Sequence, residues 1–190
     1  RNFGMHQAAL ALAAVVLDSQ PETGEWLDFT FQSGGLQYNP YRVTGGDILS
    51  TLIEKVDRDG HGNEAAPGYN KLWLDQLRVV ADVLEGYDGY EGADLYENPK
   101  FKKMFSAMYP LMLCERYTAQ IGDSGGTGSL GLILDLGHII KAFEKYGDPI
   151  LAQVAYFLNS SSTKGMHSDI FTRNPEKIAE DIEKIIATEG

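Results

Sequence analysis

Two places in this chain bring together side chains of the kind that move protons. The first is Asp57-Arg58-Asp59-Gly60-His61-Gly62-Asn63-Glu64-Ala65-Ala66-Pro67-Gly68-Tyr69-Asn70, a polar, glycine-rich loop running into an amphipathic segment. Pro67 suits the first turn of a helix, where its missing N–H is not needed and its φ is already near helical. Tyr69 and Asn70 then fall in the opening turn with Glu64 just before it, so a phenol, a carboxylate and the His61 imidazole lie close together. The second place is the chain start, where Asn2 and His6 are four apart and share a helix face, with Gln7 beside them. A helix start carries partial positive charge and free N–H groups, which favours an anion. Each feature also has a plainer reading. The loop is then a surface turn before a capped helix, His6 a core hydrogen-bonding group, Tyr69 a packing residue and Asn2 an N-cap.

Three further patterns carry less. Gly122-Asp123-Ser124-Gly125-Gly126 matches the nucleophile signature of trypsin-like serine proteases. That chemistry needs a histidine base, a carboxylate behind it and an oxyanion hole, on a β-barrel scaffold. Here the upstream chain reads as helix and Thr127 replaces the usual proline, so the run reads as a glycine turn with Ser124 or Asp123 capping the following helix. Asp57-Arg58-Asp59-Gly60 with Glu64 hints at calcium. Its glycine is fourth and its glutamate eighth, against sixth and twelfth in an EF-hand loop. His6, His61, His138 and His167 lack the short paired spacing of zinc motifs. His138, in an apolar helix, reads as a satisfied core residue, and Cys114, in an apolar run, as a buried small hydrophobe. Neither a metal nor a cofactor is predicted.

The elements that must position these residues are helical. With 190 residues and 43% hydrophobic content the chain has enough apolar surface for one helical domain. A net charge of −11 argues against a general nucleic-acid or anionic-membrane binder. Helices are predicted over residues 2–18 (alanine-rich and buried on most sides), 48–56 (capped by Asp47), 67–86, 98–114 (kinked or ended by Pro110), 129–146, 148–159 and 175–187. Residues 19–45 read as an irregular, glycine-punctuated loop in which aromatics such as Trp26 line a sugar cleft or anchor the loop to the core. Residues 115–122 read as a short extended piece. The fold class is all-α, with antiparallel helical hairpins in a layered or toroidal array. The apolar run Ala8 to Leu17 lacks the flanks of a signal peptide, and the chain begins on Arg1, so it reads as an excised piece of a longer protein.

Four runs in order resemble the heparinase II/III-type polysaccharide lyases in their helical domain: Arg1-Asn2-Phe3-Gly4-Met5-His6-Gln7, Thr23-Gly24-Glu25-Trp26-Leu27, Glu64-Ala65-Ala66-Pro67-Gly68-Tyr69-Asn70 and Ile121-Gly122-Asp123-Ser124. The resemblance covers roughly residues 1–130. It implies part of an incomplete (α/α) toroid that precedes a β-sandwich in full-length relatives, a secreted or periplasmic location, and β-elimination next to a uronic acid in an anionic polysaccharide. It implies Tyr69 as the acid/base tyrosine, Asn2 and His6 as neutralisers of the uronate carboxylate with His6 also a candidate base, and Glu64 as a positioner. Gln7 and Trp26 join the substrate-binding set. The family draws a further histidine, and in some members zinc, from the β-sandwich. Where relatives carry serine after the glutamate, this chain has Ala65 and Ala66. The reading of a different class is a non-catalytic helical carbohydrate-binding or scaffold domain.

Overall fold

A computed structural model describes residues 4–32, 37–38, 41–42, 46–124, 131–170 and 172–189. Among them the chain is mostly helical, as the all-α reading requires: α1 Met5–Leu17, α2 Glu22–Phe31, α3 Ile48–Glu54, α4 Pro67–Leu84, α5 Pro99–Ser106, α6 Leu136–Tyr146, α7 Pro149–Leu158 and α8 Pro175–Glu189. Two short antiparallel hairpins interrupt them, β1 Gln37–Tyr38 with β2 Tyr41–Arg42, and β3 Met112–Leu113 with β4 Tyr117–Thr118.

α4 is the central element. Trp73, Leu74, Leu77, Val80, Ala81 and Leu84 recur at helical spacing and are all buried. α1 packs against α4 and α2. Its small residues Ala8, Ala11 and Ala14 form the buried stripe and permit close approach. At the start of α1, Gly4 has a φ of 98°, and a Cβ there would sit 2.5 Å from the Gln76 Cβ, so only glycine fits. At its end, Tyr87 donates a 3.0 Å hydrogen bond to Asp18. α1 and α4 therefore run in the same direction. The contacts of Asp75 with His138, Asp82 with Lys141 and Glu85 with Lys145 advance together along α4 and α6, so α6 runs with them. α2 returns against α1, where the Thr23 hydroxyl donates to the Ala14 carbonyl at 3.0 Å. α6, α7 and α8 pack in succession.

Several expectations need correction. α1 is buried along one stripe only; Val16 on its other side is 85% exposed. The expected loop over 19–45 contains α2. Its period was hidden by Gly24 and by threonines, yet Thr23, Leu27, Thr30 and Phe31 form one buried face, and Glu22 and Glu25 complement the helix start. The glycines and proline at 34, 35, 40 and 45 lie outside the described residues. Asp47 occupies the N-cap position of α3, but with a left-handed φ of 54° its carboxylate makes no capping bond. The apolar side chain of Ile53 in α3 is 72% exposed. The helix expected to reach Cys114 stops at Ser106, the residue whose carbonyl the ring of Pro110 would meet in a continued helix. A 3₁₀ turn and the β3–β4 hairpin follow. Cys114 lies in the hairpin turn with a φ of 51° and is exposed, not buried. α6 begins at Leu136, later than expected, because the Asp135 carboxylate accepts from the His138 N–H and caps it there.

Leu77 has no solvent exposure and sits midway along α4. Leu77→Ala is expected to cost about 2–5 kcal/mol through lost burial and a residual cavity. Urea unfolding monitored by circular dichroism measures this as a lowered midpoint at an unchanged slope.

Candidate active site

The first turn of α4 has no capping side chain of its own. Ala66 occupies the N-cap position, and Pro67 follows. The exposed amides need an acceptor, and Ser124 supplies one from 56 residues away: the Gly68 N–H donates to its Oγ at 3.3 Å. That hydroxyl in turn donates to the Ile121 carbonyl at 2.8 Å. Ser124 thus caps an earlier helix, not the following one, and its bonds run to backbone groups. Beside it the Tyr69 hydroxyl donates to Asp123 Oδ2 at 3.1 Å. Gly122 completes the docking. Its φ is 60°, and a Cβ there would lie 2.5 Å from the Ala65 carbonyl oxygen.

The Tyr69 hydroxyl lies at the surface. The Asp123 hydrogen bond, the Asp123 charge, partial burial and the Glu64 charge, in that order, push its pKa above the ordinary phenol value. A phenoxide beside two carboxylates is disfavoured, so the group stays a neutral proton donor.

Not every predicted residue joins this site. Asn2 lies outside the described residues. His6 is exposed on α1. Its neighbour Gly4 touches Gln76, which is seven residues, or about 10 Å, along α4 from Tyr69. Gln7 is buried and its amide is spent on the backbone. Nε2 donates to the Gly46 carbonyl at 2.7 Å, and Oε1 accepts from the Gly4 N–H at 3.0 Å. Trp26 lies on α2, partly exposed, not in an irregular loop. Glu64 is partly buried just before α4.

The acidic half of the loop is a clasp. Lys100 Nζ donates to the Val56 carbonyl and Lys103 Nζ to the Arg58 carbonyl. Ammonium groups from α5 thus hold carbonyl oxygens of the loop. A Cβ on Gly60 would fall 2.2 Å from the Lys103 carbonyl oxygen, which shows how tightly the loop lies on α5. Among the described residues no group of three or more histidine, cysteine, aspartate or glutamate side chains is placed to hold a metal ion.

No family model, curated protein or solved structure matches the chain. The site therefore rests on its own geometry.

One feature was not legible as a unit in the sequence. Lys71, Asp75, Arg78, Asp82 and Glu85 recur every three or four residues along α4 and form a ladder of charges. Arg78, only 8% exposed, donates to Asp82 at 3.2 Å, to Asp169 at 2.8 Å and to His138 Nδ1 at 3.0 Å. Arginine can only donate, so Nδ1 accepts and the His138 proton sits on Nε2, directed at Asp75. Both ring nitrogens of His138 are thus hydrogen-bonded, the satisfied residue that its place in an apolar helix suggested. Lys141 pairs with Asp82 and Glu85, and Lys145 with Glu85. The ladder lines an open cleft of about 830 Å³ between α4, α6 and residues Ser168, Asp169, Thr172 and Arg173. Tyr96 sits beneath it, its hydroxyl donating to Asp82; burial, then that hydrogen bond, push its pKa far up.

Burial pushes the Asp75 carboxyl up, but hydrogen bonds from His138 and Lys71 outweigh it and hold the group below the ordinary carboxylate range. Glu85 behaves alike, with burial outweighed by Lys145 and Lys141. A carboxylate with a lowered folded pKa contributes stability above its unfolded pKa and loses it as pH falls through the folded one. Urea unfolding should therefore show a plateau near neutrality and a loss of stability on acidification below about pH 4. Asp75→Asn should lower the plateau and flatten the acid slope; an unchanged slope contradicts the assignment.

Proposed function

We propose that the chain is the helical part of a polysaccharide lyase that cleaves uronic-acid-containing polysaccharide by β-elimination, with Tyr69 as the group that hands over the proton. The observation that carries this reading is the meeting of two separated runs. Glu64–Asn70 and Ile121–Ser124 carry the resemblance in sequence, and their residues join in space as Tyr69 with Asp123 and Gly68 with Ser124. That the two runs are neighbours in space supports reading them as parts of one site.

The chemistry follows from the groups present. The proton at C5 of a uronate is α to a carboxylate and leaves more readily when that carboxylate is neutralised by hydrogen bonds. His6, in the first turn of α1, is the candidate for that task, with Asn2 assigned beside it by the resemblance alone. A protonated phenol suits delivery of a proton to the departing glycosidic oxygen as the C4–C5 double bond forms. When Tyr69 also takes the C5 proton, its own phenolic proton first passes to Asp123; the phenoxide takes the C5 proton and delivers it to the leaving oxygen, and the proton held by Asp123 then returns to Tyr69. The parallel course of α1, α4 and α6, with α2 returning antiparallel, fits the helix order of an (α/α) toroid. It also gathers the positive ends of three helix dipoles at one end of the layer, which suits an anionic ligand. The β-sandwich that follows in the family, a secreted or periplasmic setting and the anionic polysaccharide belong to the same proposal.

The test is Tyr69→Phe in the full polypeptide that carries this chain, assayed on alginate, heparan sulfate and other uronate polymers by the ultraviolet absorbance of the unsaturated uronate. The variant is expected to keep the helical circular dichroism and to lose about 10²–10⁴-fold in turnover. Full activity in the variant would remove Tyr69 from the mechanism. Retained polysaccharide binding with no elimination by the unmodified protein would favour a non-catalytic carbohydrate-binding domain.

A further inference from the structure

We propose that Asp123 is a positioning residue for Tyr69: it fixes the phenolic proton on the side of the 121–124 loop and leaves the oxygen's remaining lone pair facing solvent, where a substrate proton is met. Its catalytic consequence rests on the lyase reading above, but the coupling itself rests on geometry alone.

The loop is held by contacts that do not involve the Asp123 side chain. Gly122 lies against the Ala65 carbonyl with a left-handed backbone that a side chain would obstruct. Ser124 holds the Gly68 N–H with its Oγ and is itself tied to Ile121. The residues on either side of Asp123 therefore dock the loop without it. The carboxylate between them is not needed as an anchor, yet it points at the phenol, 3.1 Å from the oxygen.

The other tyrosine–aspartate pairs set the contrast. Tyr87 to Asp18 and Tyr90 to Asp28 tie the segment after α4 back to the α1–α2 hairpin. Tyr96 to Asp82 lies under the charge ladder. Those bonds tie separate segments of the chain to one another. Tyr69 and Asp123 sit in a joint already closed by two independent contacts, with the hydroxyl at the surface. The bond therefore orients a group that solvent and ligand can reach. An aspartate suits this better than an asparagine. A carboxylate only accepts, so the phenol must be the donor, whereas an amide can present either its oxygen or its N–H₂.

The experiment needs no activity. Carbon-13 labelling at tyrosine Cζ lets each phenol be titrated by NMR in the chain as it stands, with the Tyr69 signal assigned by its loss in Tyr69→Phe. In Asp123→Asn the Tyr69 midpoint is expected to fall toward the ordinary phenol value of about 10, with the thermal midpoint unchanged. Ser124→Ala is expected to do the reverse, lowering the thermal midpoint and leaving the Tyr69 titration above that of Asp123→Asn. Asp123→Glu is expected to recover part of the wild-type titration. An unshifted Tyr69 in Asp123→Asn, or a shift accompanied by loss of thermal stability as large as that of Ser124→Ala, overturns the proposal. In the full polypeptide, Asp123→Asn is expected to lower kcat about a hundredfold, through misplacement of the phenol, with little change in KM. A shifted titration in a protein that cleaves no uronate polymer refutes the lyase reading and leaves the Asp123–Tyr69 coupling standing. An unshifted titration in an active lyase does the opposite.

Discussion

The start of α4 cannot cap itself. Alanine at the N-cap position offers no oxygen, and the proline after it removes one N–H but leaves those that follow. The need is met by a serine from a loop more than fifty residues downstream. Much else follows from that one bond. It brings Asp123 to the Tyr69 hydroxyl, it requires glycine at 122 where the loop crosses Ala65, and it turns two unrelated stretches of chain into one site. An aspartate or serine at position 66 would cap the helix locally and remove the reason for the loop to be there.

The opposite constraint governs the flank of α4 that meets α6. There the contact is ionic over about four turns, with Arg78 and His138 nearly buried among carboxylates. A buried arginine is tolerable only when its donors are used, and Arg78 uses them on three different partners. Such a ladder contributes little net stability over an apolar seam. It does fix the relative placement of the helices, because each rung fits only its own partner. The seam holds the direction and height of α6 against α4, while the buried alanine stripe of α1 sets the other side.

Much of the helical frame was legible because helix starts are local chemistry. Asn98-Pro99 and Asp148-Pro149 open helices where expected, with the Asn98 and Asp148 side chains accepting from the following backbone N–H groups. Pro67 likewise marks the start of α4. The failures are non-local. α2 was hidden because its buried face is half threonine, and the Thr23 hydroxyl is satisfied by donating to the Ala14 carbonyl of α1 and accepting from the Ser19 N–H. The charge ladder was visible only as charges interleaved along a helix; nothing in the sequence tells that periodicity from a solvated face until His138 and Asp169 arrive. For the candidate site, Tyr69 and Glu64 were placed correctly at the helix start. Gln7 was not legible as a backbone tie, since its partner, the Gly46 carbonyl, lies 39 residues away. Asp123 lay in two of the motifs but was given no role of its own except as a helix cap, because its partner precedes it by 54 residues.

The central claim is that Tyr69, held by a loop that caps its own helix, faces a bound sugar. A crystal structure of the Tyr69→Phe protein with a uronate oligosaccharide tests it most directly. The account predicts a glycosidic oxygen lying roughly 2.6–3.2 Å from the position of the missing hydroxyl, with the uronate carboxylate toward the start of α1. An oligosaccharide bound instead in the cleft between α4 and α6, or anywhere that leaves residue 69 without a sugar contact, would contradict it.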